Sequence, residues 1–238
     1  MLRTGRSVTG VNFIAGDCEK SLKADAVILA AGGFEANSEM RARYLGPGWD
    51  LANVRGTRFN TGDAIQFAIA AGAQSYGHWS GAPAVAWDLN APSTGNRSVG
   101  DLYQKHSYPY GIVVNICGDR FLDEGADLRN YTYAKYGREI LAQPQRVAFQ
   151  LFDQKTEPLL RDEYRIRQVT KAAADTIPEL AEQLGIDREG LVATVHAYNA
   201  ACVDGLFNPS MLDGLHTEGI CLLYTSPRPR DATLSRMP

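Results

Sequence analysis

Cysteine is scarce in this chain, and its spacing carries no metal-binding pattern. The four cysteines, Cys18, Cys117, Cys202 and Cys221, are scattered, and none belongs to a C-x-x-C pair. Paired spacing is what a cysteine-based metal site requires. Scattered thiols are typical of a reducing compartment, so we predict a cytoplasmic protein without a bound metal.

Long apolar runs and an excess of positive charge are also missing. No segment reaches the length that crosses a bilayer, and the opening stretch MLRTGRSVTGV has no apolar core of a signal peptide. The net charge of -3 provides no basic surface for nucleic acid. The content of 45% hydrophobic and 21% charged residues is typical of a soluble globular protein. We therefore predict no nucleic-acid partner and no membrane span.

The dinucleotide fingerprint G-x-G-x-x-G does not occur near the start. The chain begins instead with an alternating pattern over 7–13, typical of a strand, followed by a turn at Gly16-Asp17. A sheet that begins without its first βαβ unit is poorly shielded from solvent. Two interpretations stay open: a small novel domain, or a chain that lacks its N-terminal part.

The last residues, 221–238, read CLLYTSPRPRDATLSRMP. Residues 221–226 back-translate to a sequence that looks like the transposon end of a sequencing library, and residues 235–238 to one that resembles its outer adapter, in the right order. We interpret them as read-through of synthetic DNA and exclude them from fold reasoning. The alternative is a natural tail rich in proline and arginine.

The central feature of the sequence is the apolar run 26–31, which leads into Gly32-Gly33. Its composition predicts a parallel strand buried on both faces. Two glycines at the end of such a strand let a ligand approach bare main chain, and ligands of open α/β sheets bind there. We predict a strand that reaches a cofactor, with a simple tight turn as the alternative.

Two helices are predicted after this strand. The first covers 38–44, with Ser38 as N-cap, and ends at Gly46-Pro47-Gly48. The second covers 64–71 and follows Thr61-Gly62-Asp63. Free N–H groups and a carboxylate at a helix start suit the sugar or phosphate part of a cofactor. The alternative for this motif is a helix cap and nothing more.

The composition changes after Gly72, where we place a domain boundary near Ala73. The following stretch is loop-rich, and a hairpin is predicted from 112–115 and 120–122 around a Gly118-Asp119 turn. Further predicted elements are a helix over 133–141, a strand over 147–153, and helices over 176–184 and 188–202. Thr176 and Asp187 are the expected N-caps of the last two.

Taken singly, the polar candidates in this second part have structural explanations. Arg120 lies close to Asp123 and Glu124, which taken alone favours a surface ion pair over a catalytic group. For His78 and His106, taken alone, a structural role is favoured over a catalytic one.

The order of the motifs changes this assessment. The series ILAAGGFEAN, FNTGDA, VNICGDRFLDEG and FQLFD resembles the flavoprotein family of fumarate reductases and succinate dehydrogenases, over 7–220. The strings GHWSGAPAVAWDLNAP and RNYTYAKYGREILAQP look most like the tricarballylate dehydrogenase branch of that family.

The resemblance implies an α/β plus α+β fold: a partial Rossmann-like FAD-binding domain over 1–72, without its dinucleotide motif, and a capping domain over 73–220. It implies FAD as cofactor, Arg120 as the proton-transferring residue, and His106, Glu124 and His78 at the substrate. The residues implied to bind FAD are Ala31, Gly32, Gly33, Phe34, Thr61, Gly62 and Asp63. The sequence departs from the family at Ala64, where the T-G-D-G motif has glycine, and at Pro83-Ala84, where a substrate histidine is expected.

The implied activity is that of an FAD-dependent dehydrogenase, of which this chain would be an internal fragment. A small polycarboxylate would lose a hydride to the flavin and a proton to Arg120, with a separate protein as a possible electron acceptor. Tricarballylate to aconitate is the first substrate pair, and succinate to fumarate the next. Two alternatives stay open: a flavin-independent polycarboxylate-binding module, and a 3-ketosteroid dehydrogenase-like enzyme, which would need a tyrosine-based site.

Overall fold

The structure is a computed structural model that describes residues 1–5 and 7–202. The segment interpreted as adapter sequence, 221–238, and the end of the expected capping domain, 203–220, lie outside the described residues.

The chain divides into two compact units, the first from Met1 to Ala82 and the second from Pro83 onward. The change of composition led us to expect this division near Ala73. The first unit therefore also contains the aromatic stretch that follows Gly72. The identities of the two units, a flavin-binding part and a capping part, stay predictions.

A three-stranded antiparallel sheet begins the first unit, with strands β1 (Leu2–Thr4), β2 (Ser7–Ala15) and β3 (Cys18–Lys23) in that order. The strand predicted from the alternation over 7–13 is confirmed in β2. Gly16, with φ +63°, lies in the predicted turn that joins β2 to β3. A Cβ at Gly10 would lie 2.1 Å from the Leu22 carbonyl oxygen, so glycine is required at this position of the β2–β3 pair.

The predicted buried strand over 26–31 is wrong for this structure. The segment has no strand assignment and is largely exposed, with Ile28 90% exposed. A parallel strand needs neighbours on both sides to bind its backbone groups. Among the described residues no strand pairs with this segment, so its β-branched composition alone does not produce a ladder.

Two helices follow in the first unit, α1 (Ser38–Leu45) and α2 (Asp63–Ala70), with a 3-10 turn at Trp49–Leu51. Ser38 was predicted as the N-cap of α1, and this prediction is wrong. Asn37 takes that position, because its side-chain oxygen accepts the Met40 N–H at 3.0 Å. Gly62 precedes α2 in the left-handed conformation, and no side chain caps that helix.

In the second unit, β4 (Ile112–Val114) pairs antiparallel with β5 (Phe149–Leu151). β5 is the centre of the strand predicted over 147–153. The predicted hairpin is confirmed only as a reversal: Gly118 has φ +78° and Val114 forms a bridge with Arg120, but the ladder partner of β4 is β5.

Three helices accompany this pair: α3 (Arg129–Leu141), α4 (Ile177–Leu184) and α5 (Arg188–Ala201). The 3-10 turns are Tyr108–Tyr110, Pro144–Arg146, Glu157–Leu159 and Asp162–Tyr164. The predicted caps are confirmed, since Thr176 accepts from the Glu179 N–H and Asp187 from the Gly190 N–H.

The core of the second unit has two buried clusters. In the first, α4 and α5 pack on one face of the strand pair; its buried members are Ile112, Val114, Leu151, Ala181, Ile186, Leu191, Val195 and Tyr198. The second contains Tyr108, Val113, Leu122 and Tyr136. Adjacent residues of β4 thus belong to different clusters, as the alternation of a strand requires. In the part of the chain that the structure describes, no helix is long and apolar enough to cross a bilayer, and no metal-binding cluster of His, Cys, Asp and Glu occurs.

Candidate functional site

The two glycine motifs of the first unit lie side by side. The Gly62 N–H donates to the Gly33 carbonyl oxygen at 3.0 Å, and the Asn37 side chain donates to the Thr61 carbonyl at 2.9 Å. Gly62 has φ +81°, and a Cβ there would lie 2.6 Å from the Met40 sulfur. The structure therefore brings together the two segments that the sequence assigned to the cofactor, through both main-chain and side-chain hydrogen bonds.

The start of α2 carries a fixed negative group. Asp63 is exposed, and its carboxylate accepts from the Thr61 hydroxyl at 2.8 Å. A carboxylate at this position repels a phosphate but accepts a hydrogen bond from a hydroxyl group. Of the two cofactor portions that the motif predicted, the sugar-like portion fits this geometry and the phosphate does not.

Ala31, Gly32 and Phe34 contribute to this place in different ways. The main chain of Ala31 and Gly32 is exposed, and Gly32 has φ +69°. The Phe34 ring stacks on Trp79 at 6.0 Å between centroids, and Tyr44 packs on both rings. The side chain of Phe34 is thus part of the packing, and its main chain belongs to the predicted cofactor loop.

A buried arginine that the sequence analysis missed stabilises this region. Arg41 donates to the carbonyl oxygens of Trp49, Asp50 and Ala52 at 2.8 to 3.1 Å, and also to that of Glu35. Burial lowers the pKa of Arg41, and the charge of Asp50 opposes that effect. The sequence around Arg41 contains no pattern that predicts these hydrogen bonds, because their acceptors are main-chain carbonyl groups.

In the second unit, Arg120 and Glu124 form a buried ion pair. Arg120 Nε lies 2.8 Å from one Glu124 carboxylate oxygen and 3.1 Å from the other, and Nη2 lies 2.5 Å from the first. The two side chains are 7% and 0% exposed, so the alternative of a surface ion pair is wrong. Glu124 also accepts the Val113 N–H at 2.6 Å, which fixes the carboxylate to β4.

Arg120 is held firmly in its charged form. Burial alone would lower the pKa of Arg120, but the charge and hydrogen bonds of Glu124 outweigh it and raise the pKa. Its guanidinium also lies 5.3 Å from the centre of the Tyr198 ring. The pair can therefore transfer a proton only when Arg120 gives one to Glu124 and receives another in its place.

His106 lies in a loop whose main chain is fixed on both sides. The Ser107 N–H donates to the Tyr164 hydroxyl at 2.9 Å, and that hydroxyl donates to the Gln150 side chain. The Gln150 amide donates in turn to the Lys105 carbonyl at 3.1 Å. One tyrosine and one glutamine thus hold the peptide groups next to His106, which is itself buried and packs on the Tyr133 ring at 4.9 Å. Burial raises the pKa of Tyr164 far above its usual range.

Lys105 continues this network away from His106. Its ammonium lies 3.2 Å from Asp88 and donates to the Glu163 carbonyl at 3.0 Å. Burial lowers the pKa of Lys105, while the charge of Asp88 opposes that effect. Asp88 in turn accepts from the Thr170 hydroxyl at 2.6 Å. The polar stretch 103–107 is therefore mainly a buried structural network around His106.

His78 and the Pro83-Ala84 position differ from these residues. His78 is exposed in the first unit, where its Nε2 lies 2.9 Å from the Ser80 hydroxyl. In the second unit, the Ala84 carbonyl accepts from the Gly137 N–H at 3.0 Å, and a Cβ at Gly137 would lie 2.4 Å from Ala84. The segment at Pro83-Ala84 thus packs directly on the backbone of α3. The role of His78 stays a prediction.

An exposed main-chain loop beside a helix start is the kind of place that binds a nucleotide-type cofactor. Residues 1–216 match the family described as FAD binding domain. The chain belongs to this family, and FAD is the cofactor of the family.

Two similar proteins are oxidoreductases. The chain is 29% identical to an NADH:fumarate oxidoreductase from Klebsiella pneumoniae, over 84% of this chain and 20% of that protein. It is 30% identical to a 3-oxosteroid 1-dehydrogenase from Mycobacterium tuberculosis, over 76% of this chain and 33% of that protein. The chain thus spans between a fifth and a third of the length of these relatives.

A solved structure confirms the mixed α/β fold of the FAD-binding part. It is the open conformation of a flavocytochrome c3 fumarate reductase, with a TM-score of 0.62 and 24% identity, covering 84% of this chain and 34% of that chain. At this level of identity the likeness concerns the fold alone.

Proposed function

We propose that this chain is part of an FAD-dependent oxidoreductase that desaturates a CH–CH bond of a small polycarboxylate. Tricarballylate to aconitate is the first candidate and succinate to fumarate the second. The observation that carries the proposal is the buried Arg120–Glu124 pair, with 2.5 Å between the closest atoms. A protonated arginine joined to a buried carboxylate provides both a donor and an acceptor for a proton.

The proposed reaction removes two hydrogens from adjacent carbons and forms a C=C bond. FAD supplies the hydride acceptor when bound. The proton leaves the neighbouring carbon toward Arg120, which passes one of its own protons to Glu124. Among the described residues Nη1 of Arg120 has no hydrogen bond, whereas Nε and Nη2 are occupied by Glu124. Nη1 is therefore the atom that we assign to the substrate.

The residues that we assign to FAD are those at the paired glycine motifs. The exposed main chain of Ala31 and Gly32, with Gly33 and Phe34 beside it, gives close access to a flat group. The exposed Asp63 carboxylate accepts a hydrogen bond from Thr61, which is next to Gly62. It would accept a second one from a hydroxyl of the sugar-like chain of FAD. The remaining assignments stay proposals: residues 1–72 as a flavin-binding part, 73–220 as a capping part, a cytoplasmic location, and a separate electron-acceptor protein.

The experiment uses the protein expressed from the complete reading frame that contains this chain. Anaerobic addition of tricarballylate is expected to bleach the flavin absorbance, and Arg120→Lys should slow the bleaching at least about 100-fold. The control is Arg188→Lys, at an exposed position, which should bleach like the wild type. Failure of tricarballylate and succinate to reduce the flavin, while a 3-ketosteroid does so, would overturn the proposal.

The 3-ketosteroid alternative keeps a specific argument in its favour, namely the identity to the Mycobacterium tuberculosis enzyme. Against it, the buried tyrosines of the second unit are involved in structural contacts. Tyr108 hydrogen-bonds Thr132 at 2.5 Å, and Tyr136 donates to the Asp123 carbonyl. The match to FAD binding domains also argues against a flavin-independent binding module.

A further inference from the structure

Among the described residues of the second unit, the buried cations Arg120 and Lys105 have carboxylate partners, whereas the half-buried Arg129 does not. Arg120 lies 2.5 Å from Glu124, and Lys105 lies 3.2 Å from Asp88. Arg129 is half-buried, and within the described part of the chain no carboxylate forms an ion pair with it. A partly desolvated guanidinium without a counter-ion is energetically unfavourable unless an anion comes to it.

The neighbours of Arg129 do not neutralise its charge. Its Nη1 lies 3.5 Å from Nδ1 of His106, and its Nη2 donates to the Asn130 side-chain oxygen at 2.7 Å. The guanidinium carbon lies 5.7 Å from the centre of the Tyr133 ring. An imidazole, an amide and an aromatic ring leave the positive charge in place, and the imidazole adds a second donor when it is protonated.

The backbone at this place adds to the positive potential. Arg129 is the first residue of α3, which has no side-chain cap and no acidic residue in its first turn. The positive end of the helix dipole is therefore not compensated there. The nearest acid in sequence, Asp127, binds the Leu128 N–H at 2.6 Å, outside the helix.

The two side chains are also held in fixed positions. The Tyr164–Gln150 pair fixes both peptide groups next to His106, and Tyr133 packs against His106 and Arg129. A site whose donors are already ordered loses little entropy when a ligand binds. The arrangement thus has charge, donors and rigidity, and no carboxylate of the described residues forms an ion pair with Arg129.

We propose that Arg129 and His106 form a carboxylate-binding subsite, which holds one carboxylate of the polycarboxylate substrate. This inference rests on the proposed function for the identity of the ligand. Arginine presents two parallel N–H donors that match a carboxylate, and the imidazole supplies a further donor. The subsite explains how the enzyme would select a multiply charged acid, a task for which Arg120, already paired with Glu124, is unsuited.

The binding test uses citrate and the protein from the complete reading frame. Citrate has three carboxylates, as tricarballylate does, but its central carbon carries no hydrogen and cannot be desaturated in the same way. Calorimetric titration should show binding that Arg129→Gln weakens by about 10- to 100-fold, because a charge-assisted bidentate contact is lost. Arg129→Lys should bind with intermediate affinity, since it keeps the charge but not the fork.

The matched control is Arg188→Gln. Arg188 is also the first residue of a helix, but it is exposed and its helix is capped by Asp187. This variant removes the same charge and should bind citrate like the wild type. Circular dichroism and the thermal midpoint show whether each variant remains folded. Should Arg129→Gln fail to fold, His106→Gln, which keeps a donor, replaces it and should weaken binding at least several-fold.

Turnover of tricarballylate separates this inference from the proposed function. If the enzyme oxidises tricarballylate and Arg129→Gln leaves KM unchanged, the subsite is refuted and the function stands. If citrate binding depends on Arg129 but no polycarboxylate is oxidised, the subsite stands and the function is refuted. Equal citrate affinity in the Arg129→Gln and Arg188→Gln variants, or no citrate binding at all, also overturns the subsite.

Discussion

The strongest test of the buried ion pair is the substitution Glu124→Gln. The change replaces a fully buried carboxylate by an amide of nearly the same shape, so that packing is conserved. The amide oxygen can still accept the Val113 N–H. What is lost is the negative charge that neutralises Arg120, a side chain only 7% exposed.

The surroundings of Glu124 determine how much unfolding free energy the Glu124→Gln variant loses. Removal of one partner of a buried ion pair costs about 3–5 kcal/mol, because the other charge is left without compensation. Asp123, 3.7 Å from Arg120, provides partial compensation, and the amide keeps one hydrogen bond. We therefore expect a loss of unfolding free energy of about 3 kcal/mol, near the lower end of that range.

Urea unfolding followed by circular dichroism measures this loss. The control is Glu182→Gln, at an exposed position of α4, which should change the free energy of unfolding by less than about 0.5 kcal/mol. A second variant, Arg120→Met with Glu124→Gln, should regain part of the stability, because the buried guanidinium that lost its partner is removed as well. If Glu124→Gln is no less stable than the control, or if the double variant is the least stable, the buried pair does not have the energetics described here.

Three further predictions concern other parts of the chain. Gly62→Ala should lose about 1–2 kcal/mol in urea unfolding, because φ is +81° and the added Cβ would lie 2.6 Å from the Met40 sulfur; unchanged stability would contradict this contact. Burial alone would raise the pKa of Asp88, but its hydrogen bonds and Lys105 lower it below the unfolded value of about 3.9. This stabilisation is present above about pH 4 and is lost as the pH falls through the lowered pKa, so Asp88→Asn should show a smaller loss of stability in acid titration; equal acid profiles would refute it. Burial raises the pKa of Tyr108 to about 12, so its contribution is complete below about pH 10 and is lost as the pH rises to about 12. The free energy of unfolding of Tyr108→Phe should fall less steeply with rising pH than that of the wild type. An identical slope would contradict the raised pKa of Tyr108.

Local features were predictable from the sequence because their physical causes are local. Thr176 and Asp187 cap their helices as predicted, since a short polar side chain needs only the N–H groups of the next residues. The apolar residues Leu191, Val195 and Tyr198 recur in α5 at the spacing of one helix face, and all three are buried. The N-cap of α1 was misplaced by one residue because Asn37 and Ser38 are both good caps, and only the backbone angles distinguish them.

Features that depend on distant partners were less predictable. The run 26–31 has the composition of a buried strand, but a strand forms only where other strands supply hydrogen bonds. The predicted hairpin at Gly118 reverses as expected, whereas β4 pairs with β5, more than thirty residues further along the chain. Composition indicates which faces can be buried, but not which distant segment covers them.

The candidate site illustrates the same limit for charged groups. The sequence could place Arg120 near Glu124, but it could not distinguish an exposed ion pair from a buried one, because burial depends on β4 and on Tyr198. Arg129 was not singled out, and the predicted helix began only at Tyr133, whereas α3 begins at Arg129 itself. Its importance depends on the approach of His106, which is 23 residues earlier in the chain.

The presence of a counter-ion beside Arg120 and its absence beside Arg129 among the described residues distinguish the two roles that we propose for these arginines. Arg120 shares a buried site with Glu124, so a proton can pass between them without a change in the net charge of the pair. The same neutrality makes Arg120 a weak attractor of an anion. Arg129 has no carboxylate partner among the described residues, and its field therefore remains available to a ligand. An uncompensated cation offers a neutral steroid no charge to pair with, whereas it attracts a carboxylate of the polycarboxylate that we propose as substrate.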